Sequence, residues 1–245
     1  MAAKPTQYWA VMPAAGVGQR FGAELPKQYL RLHNKTVLEH AVEAVWQAPM
    51  LKAMVVCVSS DDQWIEPLIE SNSALNAQQS EHRLRLTEGG ATRAHSVLNG
   101  LMALQADAKE HDWVLVHDAA RPLLHKNDLL NLFKQLAEHP VGGLLAAPSI
   151  DTLKRVDEQG RVMETVVRSQ IWRAQTPQLF RFGCLLSALE QTVLEGDVVS
   201  SGITDEASAI EQLGMQPQIV AAQHPNPKIT TADDLAQARL WLESA

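Results

Sequence analysis

Up to about residue 150, apolar and polar positions follow two alternating periods. The runs Tyr8 to Met12, Met54 to Val58, Trp113 to Val116 and Leu144 to Ala147 are short and apolar and end in turn or polar residues, so they predict buried strands. A further strand is expected near Leu84 to Leu86. Between these runs the period lengthens to that of a helix: Val37, Leu38, Ala41, Val45 and Trp46; Val97, Leu98, Leu101 and Leu104; Leu129, Leu130, Phe133 and Leu136. Alternating strands and helices imply an α/β fold, a parallel sheet covered on both faces with a binding crevice at the strand C-termini.

The pattern changes at Asp151 to Arg168, where two alternating arms flank Glu158-Gln159-Gly160 as in a hairpin. A two-stranded ribbon is marginal in water, so Leu153, Val156, Val162 and Val166 call for a partner, and the same arm of a second copy would supply one. Beyond it, Ile171 to Ala174 should rejoin the sheet, with helices over Phe182 to Leu194, Thr204 to Leu213 and Ala232 to Leu242.

The 245 residues suit one domain spanning 1–245, with the arm as a subregion at about 151–170. With 21 basic against 28 acidic residues and a net charge of -7, the chain has no basic block, which argues against nucleic acid as a partner. Cys57 and Cys184 show no paired spacing, the first residues MAAKPTQYWA lack a signal-peptide core, and no apolar run reaches membrane-spanning length. A reducing cytoplasm and no membrane partner are the expectation.

The segment Ala10 to Lys27, AVMPAAGVGQRFGAELPK, ends an apolar run in a small-residue loop with two cations, Arg20 and Lys27. Small residues let backbone N–H groups approach phosphate oxygens, and the cations can meet the charge that develops there. The sixth position of a dinucleotide fingerprint is Phe21, and no Walker Gly-Lys-Ser/Thr follows, which disfavours both motifs. A plain strand-to-helix turn with surface cations is the other reading. Pro26 restricts the chain before Lys27, so the lysine is either fixed in place or an ordinary solvated one.

Asp118 follows the strand Trp113 to Val116 in His117-Asp118-Ala119-Ala120-Arg121-Pro122. There it can hold Mg²⁺ while Arg121 grips a phosphate, or it can cap a helix with Arg121 as its ion-pair partner. In Gly89-Gly90-Ala91-Thr92-Arg93-Ala94-His95-Ser96, two glycines and the Ser96 hydroxyl would suit a flat base, while a Gly-rich turn with Arg93 solvated fits as well. Thr204-Asp205-Glu206 reads as a helix start whose acids suit the dipole, with Thr204 placed for a phosphate. The histidines lack metal-ligand spacing.

In order and spacing, PAAGVGQRFGAELPKQYL, GGATRAHSV, VLVHDAARP, DTLKR, TVVR, QTPQ, TDEASA and NPKITTADDL resemble the bacterial 2-C-methyl-D-erythritol 4-phosphate cytidylyltransferases of the non-mevalonate isoprenoid pathway, over roughly Trp9 to Leu242. The resemblance implies a Rossmann-like, mostly parallel sheet with helices on both faces, and a homodimer joined by a protruding β-arm. It also implies CTP as co-substrate with Mg²⁺ or another divalent cation. By family position Pro13, Ala14, Ala15, Gly16 and Gly18 hold the triphosphate, and Gly89, Gly90 and Ser96 surround cytosine and ribose. Asp118 contacts metal and ribose, and Arg20 and Lys27 stabilise the transition state. Arg168 and Lys228 position the methylerythritol phosphate, with Asp118, Ala119, Arg121, Thr152 and Thr204 nearby; Thr152 and Arg168, on the arm, would serve the neighbouring subunit. Ala91 and His95 stand where acids are frequent, and Val167 interrupts a frequent Thr-Val-Asp-Arg. A cytidylyltransferase for another polyol phosphate, such as ribitol 5-phosphate, and a non-catalytic CTP-binding module are the competing readings.

Overall fold

The computed structural model describes residues 5–16, 25–194 and 203–243. The chain enters through β1 (Tyr8–Pro13), makes a single 3-10 turn at Lys27–Tyr29 and a small hairpin, β2 (Arg31–Leu32) and β3 (Lys35–Thr36), then enters α1 (Val37–Trp46). There follow β4 (Leu51–Val58), α2 (Ile65–Ser71), α3 (Ser73–Ser80), β5 (Leu84–Glu88), α4 (Arg93–Leu104), β6 (Trp113–Val116), α5 (Lys126–Leu136) and β7 (Gly142–Pro148). The arm is β8 (Leu153–Val156) and β9 (Val162–Val166), followed by β10 (Trp172–Arg181), α6 (Phe182–Leu194), α7 (Glu206–Gln212), β11 (Gln218–Ala221) and α8 (Ala232–Glu243).

Seven strands form one sheet in the order β11-β7-β10-β6-β1-β4-β5. Pairing is parallel except at β10, which runs antiparallel to both β6 and β7. The expectation of a mostly parallel sheet holds. The strand expected at Ile171 to Ala174 starts one residue later and continues to Arg181, and the helix expected from Thr204 begins at Glu206, because Asp205 is its extended N-cap.

The central strands β1, β4 and β6 are buried on both faces, and their residues alternate between two packing layers. Ala10 and Met12 of β1, Met54 and Val56 of β4, and Trp113 and Leu115 of β6 face the layer of α1, α2, α3 and α5. Trp9, Val11, Val55, Cys57, Val114 and Val116 face α4, α6 and α7. In α5, Leu129, Leu132 and Leu136 are fully buried, each worth about 2 kcal/mol of transfer free energy. α4 presses directly on the sheet, since a Cβ at Gly100 would stand 2.5 Å from Val11 and 2.9 Å from Cys57. Local chemistry sets the helix starts: Thr36 and Glu39 form a reciprocal capping box on α1, Asp205 and Ser208 do so on α7, and Thr92 caps α4.

β1 connects outward to β4 and β5, whereas β6 returns to the opposite side of β1. The C-terminal ends of β1 and β6 therefore diverge at a switch point, where doubly wound sheets open a crevice. The arm forms its own two-stranded sheet, turned by Asp157, whose carboxylate accepts from the Gln159 and Arg161 amides, and by Gly160 at φ +78. Ile150, Val156, Val162, Met163 and Val167 on and beside it are 50–75% exposed. Among the described residues no helix is long and apolar enough to cross a membrane.

Candidate functional site

A cavity of about 340 Å³ opens at the switch point. Pro13, Ala14, Ala15 and Gly16 extend β1 along one wall, Lys27 and Gln28 close an end, Gly90 to Arg93 and Ser96 form another wall, and Asp118 to Ala120 with Lys228 complete it. The fold thus brings together the expected Pro13, Ala14, Ala15, Gly16, Lys27, Gly90, Ser96, Asp118, Ala119 and Lys228. Gly18 and Arg20 lie outside the described residues.

Each wall is tied to its neighbour. The Ala14 amide donates to Cys57 O at 2.8 Å, and its carbonyl accepts from Gln28 Nε2 at 2.6 Å. Gly89 stands behind the cavity because two loops meet there: a Cβ on it would lie 2.4 Å from Ala15 Cβ and 2.9 Å from Ser96 Oγ. The Gly89 amide donates to Val58 O, and the Gly90 amide to Ser96 Oγ at 3.0 Å, while that hydroxyl donates to Thr92 O. The Ser96 hydroxyl expected to face a base is thus engaged in holding the glycine loop. His95 accepts or donates through Nδ1 with Thr92 Oγ1 at 2.8 Å, in the same turn.

Asp118 is the electrostatic centre. Its Oδ1 accepts from Arg93 Nε at 2.9 Å, its Oδ2 lies 2.9 Å from Lys228 Nζ and 3.6 Å from Arg121 Nε. Burial favours the neutral acid, yet the charges of Arg93 and then Lys228 outweigh it and hold the carboxyl far below its usual range. Arg93 also grips Glu206 with two parallel bonds of 2.6 and 3.0 Å. Burial pushes Glu206 upward against the pull of that guanidinium. Arg93 is thus no solvated turn residue. It is the residue that sequence reasoning missed, together with Glu206, which lies in the first turn of α7 as expected but is 1% exposed.

A second network underlies the first. The Asp118 amide donates to Thr176 Oγ1 at 3.0 Å, and that hydroxyl donates to His117 Nδ1 at 3.2 Å. His117 Nε2 then donates to Arg121 O at 2.9 Å, and burial pushes this histidine down to about 4, so the neutral ring is the one held there. Asn226 donates to Thr176 O and accepts from Arg121 Nη1 through its own carbonyl, fixing the segment that carries Lys228. Asp118 caps no helix; the ion-pair half of that alternative is present in Arg121.

Five expected residues do not line the cavity, Gly89 behind it and four others. Arg121 supports it from behind. Thr204 sits at the entry of α7, where its amide donates to Ser208 Oγ. Thr152 and Arg168 are exposed on the arm, where Arg168 donates to Ile150 O.

The lining carries Lys27, Arg93 and Lys228 against Asp118, an excess of positive charge suited to a polyanion. Among the described residues no cluster of three His, Cys, Asp or Glu could hold a metal. A single ionised carboxylate facing an anion site still fits Mg²⁺, which takes one or two protein carboxylates and fills its octahedron with phosphate oxygens and water.

Comparison with known proteins gives a consistent result. The family model described as 2-C-methyl-D-erythritol 4-phosphate cytidylyltransferase matches residues 8–244. A relative of that name from Pseudomonas fluorescens is 48% identical over 234 residues, covering 95% of this chain and 94% of its own. A solved structure titled 4-diphosphocytidyl-2C-methyl-D-erythritol synthase aligns with TM-score 0.79 at 37% identity, covering 98% of this chain and 100% of its own. A Francisella tularensis 2-C-methyl-D-erythritol 4-phosphate cytidylyltransferase aligns with TM-score 0.78 at 33% identity, covering 96% and 99%.

Proposed function

This chain belongs to the 2-C-methyl-D-erythritol 4-phosphate cytidylyltransferase family and transfers the cytidylyl group of CTP to that phosphate; we propose the following division of the work among its residues. The observation that carries it is the cation-lined cavity around the ionised Asp118 at the β1/β6 switch point. An oxygen of the methylerythritol phosphate attacks the α-phosphorus of CTP, the bond to the β-phosphate oxygen breaks, and pyrophosphate leaves with that electron pair. The products are 4-diphosphocytidyl-2-C-methyl-D-erythritol and pyrophosphate.

In this reading the backbone of Pro13 to Gly16, with Gly18, cradles the triphosphate. Lys27 and Arg20 meet the charge that develops on the α-phosphoryl oxygens, a positioning and electrostatic task. Lys228 turns from Asp118 toward the alcohol's phosphate and, with Arg121 and Thr204, aims it. Asp118 would hold Mg²⁺, which when bound neutralises phosphate charge. Gly89, Gly90 and Ser96 shape the wall for cytosine and ribose, and Ala119 closes the substrate side.

The arm at about 151–170 completes the site of a second copy within a homodimer of single 1–245 domains. Its exposed Val156, Val162, Met163 and Val167 support this, since a lone ribbon with that apolar surface is marginal. Thr152 and Arg168 would reach the neighbour's cavity. The cytoplasm, which keeps a buried free thiol such as Cys57 reduced, is the compartment of this reading.

Pyrophosphate release with CTP and methylerythritol phosphate, run beside ribitol 5-phosphate and beside UTP, tests the assignment. Turnover confined to the first pair is expected, and turnover with ribitol phosphate alone would change the substrate.

A further inference from the structure

Lys27 stands in a single 3-10 turn, Lys27–Tyr29, closed by Tyr29 N to Pro26 O at 2.9 Å and Leu30 N to Lys27 O at 3.2 Å. One such turn has poor hydrogen-bond geometry and no cooperative length to sustain it. The two side chains that follow the lysine, both 4% exposed, anchor the turn to the rest of the fold. Gln28 Nε2 donates to Ala14 O at 2.6 Å, tying the turn to the loop after β1. Tyr29 Oη donates to Asp62 Oδ2, also at 2.6 Å, while its ring packs on Trp64 with centroids 5.7 Å apart.

Asp62 is itself immobilised. Its other oxygen, Oδ1, accepts from the Trp64 and Ile65 amides at 2.9 and 3.0 Å at the start of α2. The carboxylate therefore joins a helix start to the lysine-bearing turn. Burial, and then the hydrogen bond to Asp62 and that carboxylate's charge, hold the Tyr29 phenol above its ordinary value, so it remains a donor throughout the working pH range.

We infer that Tyr29 and Asp62, both outside the cavity lining, are positioning residues for the Lys27 ammonium. The inference rests on the reading that Lys27 acts at the α-phosphate. With Gln28 holding the turn on the phosphate side and Tyr29 on the other, loss of the phenol hydroxyl frees one side only. The turn then tilts and the ammonium leaves the reacting oxygens, while the cradle for CTP keeps its shape.

The test is a cycle of Tyr29→Phe and Lys27→Ala, read as pyrophosphate release at saturating substrates and as CTP affinity. Tyr29→Phe should lower kcat about tenfold, in line with the steep cost of small misplacements, and leave the KM for CTP within about twofold. In the Lys27→Ala background it should lower the residual rate no further. Equal losses in both backgrounds would assign the pair a merely structural role and overturn the inference, as would an unchanged kcat in Tyr29→Phe. Near-normal turnover in Lys27→Ala alone would instead remove Lys27 from the chemistry, and the inference with it.

A readout independent of turnover is the NMR signal of ¹³C-dimethylated Lys27, assigned by its loss in Lys27→Ala. It should shift or broaden in Tyr29→Phe, and an unchanged signal would contradict the inference.

Discussion

Arg93 and Glu206 face each other through two parallel hydrogen bonds of 2.6 and 3.0 Å, and the third arm of the same guanidinium reaches Asp118. One arginine thus joins the start of α4, the first turn of α7 and the end of β6. A lysine cannot reproduce this fork. Arg93→Lys should leave Glu206 poorly paired in the interior and destabilise the protein by about 3–5 kcal/mol. Urea unfolding followed by circular dichroism measures it; a loss below about 1 kcal/mol would show that the pair is dispensable.

Gly89 shows how closely the two loops of the cavity approach. Gly89→Ala must displace Ala15 or Ser96, at a cost of about 1–3 kcal/mol, and should weaken CTP binding. Gly16→Ala meets nothing within 4 Å among the described residues and should leave the fold as stable as before. Paired melting curves and CTP titrations distinguish the two, and equal effects would mean that the contact at Gly89 relaxes freely.

Much of this architecture was legible because burial imprints a period. Trp113–Val116, Val37–Trp46 and Phe182–Leu194 fall where the pattern placed them, and the arm turns at Glu158-Gln159-Gly160 as expected. α3 was not legible because it buries only Leu75, and β11 because only Val220 of its four residues is buried. The antiparallel direction of β10 is invisible to periodicity, since a strand alternates alike in either direction. Within the site, Asp118 and Lys27 were singled out by their local pattern beside bland alternatives, whereas Lys228 entered only through the family resemblance. Arg93 stayed ambiguous because its partner Glu206 lies 113 residues away and carries a second explanation as a helix-start acid.

The arm carries its own prediction. Val156 and Val162 are paired across β8 and β9 and are 50% and 62% exposed. Val162→Asp should leave the monomer folded, shift the protein from dimer to monomer in sedimentation equilibrium, and reduce turnover, because Thr152 and Arg168 would no longer reach a neighbour. A wild-type monomer with full activity would contradict the proposed homodimer.

His117 makes stability depend on pH. Burial pushes it down to about 4 in the folded chain, whereas unfolded histidine titrates near 6.5. Between those values the unfolded state binds the extra proton, so stability must fall as pH drops through that window, by up to about 3 kcal/mol. Urea midpoints taken between pH 7 and pH 4 should show this decline, and His117→Asn should flatten it from a lower starting stability. An identical slope in the variant would place the linkage elsewhere.

The most direct test of the account is ³¹P NMR of CTP and methylerythritol phosphate with Mg²⁺, using the wild-type protein and Asp118→Asn. The wild type should consume both substrates one for one and produce a diphosphate diester and pyrophosphate in equal amounts. The folded Asp118→Asn variant should be at least about a hundredfold slower. Release of CMP without the diester, or near-normal turnover by Asp118→Asn, would contradict the assignment of cytidylyl transfer to this cavity.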